Sequence, residues 1–281
     1  MKLIIKDSAK AQQWIELFKV IKNLNSYTTL CSEEDKLFIQ IMDDSQVCLM
    51  NITIEKEWFD EYESNNETFS VLSVVVVKIL HLYTTGTILT IITNNEKMEI
   101  NFKYPDKSEK YFELNLIDID KDMLESQNIE GDVEFEIKTK VFDKYISEMQ
   151  LFGESMELVC FEDNLYMKSY GEDGQYILKL PHSNIDELIV EDELRLKTNV
   201  SLKYLSYISK VHNVFEHFRI KVQKECPIQV DILDENIEVR YYIAPKISED
   251  EDNDEDDYRE YIDKSNSSIE NDYETKENTV I

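Results

Sequence analysis

Carboxylates are the most numerous residues able to do chemistry, with 59 Asp and Glu in a chain of 281 residues. Two close acid sets, Asp43-Asp44 and Asp118 with Asp120, are of the kind that hold a divalent cation or do acid–base work. Both lie between apolar runs, and a solvated turn suits them better than a metal enzyme. The four cysteines, Cys31, Cys48, Cys160 and Cys226, are far apart and include no Cys-x-x-Cys pair. That spacing argues against a zinc ribbon or a disulfide framework and for a reducing compartment. No Gly-rich phosphate loop, His-Glu-x-x-His or Gly-x-Ser-x-Gly pattern occurs. The expectation is a protein without a catalytic site, metal or cofactor.

Lysine is the remaining candidate, and its placement depends on the elements that carry it. Trp14, Leu17, Phe18, Ile21 and Leu24 recur at helical spacing and predict an amphipathic helix over Ala9–Leu24. Strand-like runs follow at Leu37–Met42, Val47–Ile54 and Thr68–Leu72, parted by Asp43-Asp44-Ser45 and Ser64-Asn65-Asn66. Val74–Tyr83 reads equally as a strand, from its valines, or as a helix, from Lys78, Leu80, His81 and Tyr83. Strands are predicted again over Thr87–Thr93, Met98–Tyr104 and Tyr111–Ile117. The acid- and amide-rich stretch 118–131 reads as a connector.

The second half repeats this order. A helix is predicted over Thr139–Leu151, then strands Glu157–Cys160, Leu165–Ser169 and Gln175–Leu180, and a helix over Ser201–His212. Strands Phe218–Gln223, Ile228–Leu233 and Ile237–Ile243 close the half. The expected domains are 1–117, a connector 118–132, 133–247, and an acidic, disordered tail 248–281. No apolar stretch is long enough for a membrane span, and Met1–Asp7 lacks the apolar core of a signal peptide, so a soluble protein is expected.

The formal net charge is −29, which excludes general attraction of the surface to phosphate. The tail holds 14 acids and three bases, so the body keeps −18 of that charge. The four helical stretches nevertheless carry Lys10, Lys19, Lys22, Lys78, Lys140, Lys144, Lys203 and Lys210 against only Glu16, Asp143 and Glu148. Each lysine alone is an ordinary solvated residue of an amphipathic helix. Together, on one surface, they would make a single basic face on an acidic body. With no aromatic residues interleaved for stacking, such a face contacts backbone, independently of sequence and sensitively to salt. Retention on a duplex would then have to come from topology.

Two segments resemble the proliferating cell nuclear antigen family. The first is Leu37-Phe38-Ile39-Gln40-Ile41-Met42-Asp43-Asp44-Ser45-Gln46-Val47-Cys48-Leu49 with Trp58-Phe59-Asp60-Glu61-Tyr62; the second is Val239-Arg240-Tyr241-Tyr242-Ile243-Ala244-Pro245-Lys246-Ile247. Weaker likeness at Leu116–Asp120 and Leu202–Leu205 extends it over roughly residues 1–247. The resemblance implies an α+β DNA clamp fold of two similar domains, with sheets outside and two helices from each lining a central hole. It implies a homotrimeric ring that encircles duplex DNA as a sliding clamp and polymerase processivity factor. The lysines would face the DNA. Subunits would pair through the edges Lys110, Tyr111, Phe112 and Leu114 of one and Gln175, Ile177 and Leu178 of the next.

The family's clients insert a short peptide into a groove, which here would be lined by Met42, Val47, Leu49, Leu124, Ile129, Pro227, Tyr242, Ala244 and Pro245. For Val47 and Leu49, satellite packing is as good a reading as contact. Implied partners are a DNA polymerase, a clamp loader, a flap endonuclease and a ligase, in the nucleus of a cell or at a viral replication site in host nucleus or cytoplasm. The sequence departs from the family at Gln46, at Ile15-Glu16, at Glu162, and in a connector without Gly-Ile-Pro, departures that would suit a large DNA virus; its Asn, Ile and Lys usage points to an AT-rich genome. A monomeric or checkpoint-type clamp-like factor is the alternative within this class. An acidic scaffold or DNA mimic, resting on the tail, and a carboxylate metal enzyme are the alternatives outside it.

Overall fold

Alternating apolar residues build most of the chain into antiparallel strands, and four apolar-faced segments become helices. A computed structural model describes residues 1–94, 96–118, 123–125, 128–161, 164–191 and 194–246. Asp120, Glu162 and the tail 248–281 lie outside the described residues. The first half runs β1 (Lys2–Ile5), α1 (Ser8–Leu24), β2 (Tyr27–Ser32), β3 (Lys36–Met42), β4 (Cys48–Glu55), β5 (Glu61–Glu63), β6 (Glu67–Leu72), α2 (Ser73–Leu80), β7 (Ile88–Thr93), β8 (Lys97–Lys103) and β9 (Glu109–Asn115). The second runs β10 (Val133–Lys138), α3 (Thr139–Met149), β11 (Ser155–Phe161), β12 (Asn164–Gly171), β13 (Gly174–Lys179), β14 (Asp186–Val190), β15 (Arg195–Ser201), α4 (Leu202–Ser209), β16 (His217–Val222), β17 (Ile228–Asp234) and β18 (Ile237–Ile243). A 3-10 turn, Lys210–Asn213, extends α4, which shortens the helix expected to reach His212.

The valine run folds as the helix α2, which decides between strand and helix for that segment. Ser73 fixes its start, donating its hydroxyl to Asn25 O at 2.6 Å, and Val76, Val77, Ile79 and Leu80 are buried. Burial of that face outweighs the small propensity cost of β-branched residues. Strands β1, β2, β5, β10, β14 and β15 are additions to the sequence-based expectation. In β10, Val133, Phe135 and Ile137 do alternate with Glu134, Glu136 and Lys138, a readable signal; β14 carries acids and has no fully buried residue, so pattern could not find it.

Three sheets result, with orders β5-β1-β7-β8-β9, β14-β10-β16-β17-β18-β4-β3-β2-β6 and β13-β12-β11-β15. Element by element, the second half repeats the first. The five strands β5-β1-β7-β8-β9 match β14-β10-β16-β17-β18, and β4-β3-β2-β6 match β13-β12-β11-β15. The nine-stranded sheet is therefore a five-strand unit of the second half joined to a four-strand unit of the first. The joint is β18 antiparallel to β4, from Ile237 opposite Ile54 to Ile243 opposite Cys48.

The helices cover one side of the sheets: α1 on β1 and β3, α2 on β2 and β6, α3 on β10, α4 on β11. They also touch one another, α1 with α2, α3 with α4, and α1 across the halves with α4 and its 3-10 turn. Trp14, Phe18, Phe142, Phe218 and Tyr241 are among the large side chains fully buried in the core beneath. Among the described residues no helix is long and apolar enough to cross a membrane.

Candidate functional site

The four helices turn their apolar faces to the sheets, and their eight lysines differ in exposure and in partners. Lys22, Lys78, Lys140 and Lys203 are exposed and make no ion pair among the described residues; the Lys203 ammonium stands 5.1 Å over the Tyr204 ring. The other four are engaged. Lys10 Nζ donates to Trp58 O at 2.6 Å, and Lys19 pairs with Glu16 at 2.7 Å. Lys144 lies 3.8 Å from Glu148, and Lys210 2.8 Å from Asp143. Burial alone would raise the Asp143 pKa, but hydrogen bonds from Lys210 and Ser209 hold it below the usual aspartate value.

On the opposite side of the nine-stranded sheet, the connector crosses from β3 to β17. Gln40 takes Leu124 at two points, accepting its N–H at 2.7 Å and donating to its carbonyl at 2.9 Å. Gln229 accepts the Ile129 N–H at 2.9 Å and donates to Asn128 Oδ1 at 2.9 Å. These amides grip the backbone as a neighbouring strand would, and nothing in the local sequence marks them out for it. Leu49, Asn51, Tyr242 and Asp231 are buried on this side of the sheet, although they face away from the helices.

Leu124 stays 48% exposed. Met42, Val47, Ile129, Pro227, Ala244 and Pro245 are half-buried, whereas Leu49 and Tyr242 are buried in the sheet. Ala244 N donates to Val47 O at 2.8 Å, so the exit of β18 and the loop after β3 are joined.

That loop turns on Asp43. The residue is 5% exposed and accepts the N–H groups of Val47 and Cys48 at 2.7 Å each, Ser45 at 3.0 Å, and the Tyr204 hydroxyl at 2.6 Å. Burial opposes its charge, yet the hydrogen bonds from Tyr204, Cys48, Ser45 and Val47 outweigh it and lower the pKa. The solvated-turn expectation is corrected for Asp43, whose carboxylate is fully used in holding the loop. Among the described residues no group of three or more His, Cys, Asp or Glu is placed to hold a metal ion.

The expected pairing strands are both sheet edges. Among the described residues β9 is bonded only to β8 and β13 only to β12. Lys110, Tyr111 and Gln175 are exposed, Phe112, Ile177 and Leu178 are half-buried, and Leu114 is buried. Pattern reasoning missed Leu82 and Leu151, large apolar side chains left exposed just beyond α2 and α3.

A sheet-rich α+β chain of two matching halves, with four helices in one layer and the counterpart strands β9 and β13 each at a sheet edge, defines a recognisable class. Residues 9–125 match the family model described as the proliferating cell nuclear antigen N-terminal domain. The chain is 28% identical over 262 residues to the probable DNA polymerase sliding clamp 2 of Paramecium bursaria Chlorella virus 1, covering 90% of this chain and 93% of that protein. It is 25% identical over 247 residues to the proliferating cell nuclear antigen of Caenorhabditis elegans, covering 84% and 94%. To the DNA polymerase sliding clamp 1 of Sulfolobus acidocaldarius it is 24% identical over 228 residues, covering 76% and 88%. Along most of its length the chain is similar to DNA sliding clamps and proliferating cell nuclear antigens.

Proposed function

We propose that this chain is a DNA sliding clamp and polymerase processivity factor, a non-catalytic ring of three copies that encircles duplex DNA and docks replication and repair proteins. The observation that carries this is the repeated strand order, which leaves β9 and β13 at sheet edges. Inside the chain, a five-strand unit meets a four-strand unit at β18 and β4; the remaining five-strand and four-strand units end in β9 and β13, the counterparts of those two strands. A second copy offers each edge its missing partner. A head-to-tail joint of this kind makes a ring when the rotation closes.

Matching the core-facing rows of the two halves carries the internal register to this joint. Leu114 then faces Gly174, Phe112 faces Tyr176, Tyr111 faces Ile177, and Glu109 faces Lys179. Aromatic, apolar and opposite-charge pairs result, each of the favourable cross-strand kinds. Gly174 has φ +143°, a conformation that suits glycine, and leaves room opposite Leu114.

The helix layer supplies the duplex-facing surface, with Lys22, Lys78, Lys140 and Lys203 free of ion pairs among the described residues and Lys10, Lys19, Lys144 and Lys210 completing it. Lys144 takes the place of Gln13, which reaches across the internal joint to Val214 O at 3.3 Å and Asp234 Oδ2 at 2.9 Å. It therefore stands at the seam between subunits as well.

Met42, Val47, Leu124, Ile129, Pro227, Ala244 and Pro245 form the client groove, with Leu49 and Tyr242 as its floor. Burying two or three client side chains there contributes about 1.5 to 3 kcal/mol each, enough for exchangeable binding after association costs. Polymerase, loader, flap endonuclease and ligase are the expected clients. The domains are 1–117 and 133–247 with the connector 118–132, and the site of action is the nucleus or a viral replication compartment.

The test is retention on DNA. Protein loaded on a nicked circular plasmid should survive a high-salt wash and fall off once the plasmid is linearised. Equal loss from circle and line would contradict encirclement.

A further inference from the structure

Loop 43–47 belongs to the first half, yet two of its anchors, Tyr204 and Ala244, come from the second. The Tyr204 hydroxyl, on α4, reaches Asp43 Oδ2 at 2.6 Å in a buried hydrogen bond between residues 161 positions apart. Asp43 passes that anchor to the loop backbone through the N–H groups of Ser45, Val47 and Cys48. Gln46 closes the turn at φ 58°, a left-handed conformation that needs such support, and its N–H donates to Asp43 O at 3.0 Å. The loop has two further anchors. Asn25 Nδ2 donates to Met42 O at 2.9 Å, and Ala244 N donates to Val47 O at 2.8 Å.

On the other side of Tyr204, the neighbouring Lys203 holds its ammonium 5.1 Å over the Tyr204 ring. Tyr204 thus touches a lysine of the helix face with its ring and the loop with its hydroxyl.

We infer that Tyr204 is a positioning residue for the client groove: acting through Asp43, it sets the conformation of residues 43–47 and hence the placement of Met42 and Val47. This rests on the groove reading above. A phenylalanine at this position fills the same space and keeps the ring under Lys203, and removes only the hydroxyl. Asp43 would keep its three backbone donors and lose the tether to α4. Losing one buried hydrogen bond to a charged acceptor should weaken peptide binding about tenfold, through faster dissociation.

The experiment compares wild type, Tyr204→Phe, Asp43→Asn and the double variant. A fluorescein-labelled peptide with aliphatic and aromatic anchors is titrated by anisotropy, and hydrogen exchange is followed at the Val47 and Cys48 amides. Expected are about tenfold weaker binding and faster exchange in Tyr204→Phe, with solution mass and plasmid retention unchanged. The double variant should bind less weakly than the two single effects combined would give, because both act on one bond. Wild-type binding with Tyr204→Phe unchanged in affinity and exchange would overturn the positioning role alone. A wild-type protein that ignores the peptide would overturn the groove reading, and with it this inference; faster exchange in Tyr204→Phe would then count only as loop anchoring.

Discussion

At the internal joint, β18 and β4 pair along their length and bury Cys48, Met50, Ile52, Ile54, Val239, Tyr241 and Ile243 in one continuous core. At β9 and β13, the matching strands stand open, and Tyr111 is 67% exposed. The contrast extends to the helices. Val20, near the end of α1 at the internal joint, is 2% exposed, whereas its counterpart Leu151, just beyond α3, is 78% exposed. Likewise Val211 is buried while its counterpart Leu82 is exposed. One geometry is completed between β18 and β4 and left incomplete at β9 and β13. Large apolar side chains exposed at the places where a counterpart is buried are those a second copy would cover.

Substitutions should therefore act differently at the two joints. The largest effect is expected from Leu151→Glu. In the single chain this residue is largely solvated, so folding should stand, but a charge buried without a partner at the joint would drop association at least about a hundredfold. Sedimentation should then find a monomer whose thermal transition resembles that of wild type. Unchanged assembly would remove Leu151 from the joint.

Ile52→Ala, at the completed joint, should instead cost about 2–5 kcal/mol of folding stability, measured by urea denaturation. Dissociation without loss of stability would mean that the halves are not held together as described.

Asp231 gives a smaller effect of opposite sign. It lies buried beneath the connector, takes a hydrogen bond from Gln229 at 2.7 Å, and leaves Oδ1 without a hydrogen-bond partner among the described residues. Burial is the main cause of its raised pKa, with Gln229 and Arg240 opposing. A raised folded-state pKa means that the favourable contribution exists below the ordinary aspartate value and is lost as pH rises through the raised one. Asp231→Asn should gain about 1 kcal/mol at neutral pH and remove that part of the pH dependence, as read by thermal unfolding between acid and neutral pH. A loss of stability at neutral pH would show that the Arg240 interaction outweighs burial.

The smallest effects should separate the lysines. Lys78→Ala removes a charge free of any described ion pair and should lower the magnitude of the salt slope of DNA binding by about one for each phosphate no longer neutralised. Lys19→Ala, already paired with Glu16, should change the slope less. Equal slopes would mean that DNA breaks the intramolecular pair.

Much of this was legible in the sequence. The periodicity of α1, α3 and the closing strands, and the repeated order of elements, follow from burial of alternating or helical apolar rows. The shared sign of the helix lysines suggested one basic face; the structure leaves Lys22, Lys78, Lys140 and Lys203 exposed and engages the other four. What stayed hidden depends on distant partners. Tyr204 reads as one apolar-face residue of α4, and only the fold brings it to Asp43. Gln40 and Gln229 read as outward polar residues of strands, until the connector lies across them. Two of the eight lysines, Lys10 and Lys210, are engaged by Trp58 O and Asp143, which no local window contains.

Closure of the open edges on one another is the central claim. Light scattering of the purified protein at low micromolar concentration and moderate salt tests it most directly. A mass of three times 33.3 kDa is the predicted result; a monomer at every concentration would contradict it.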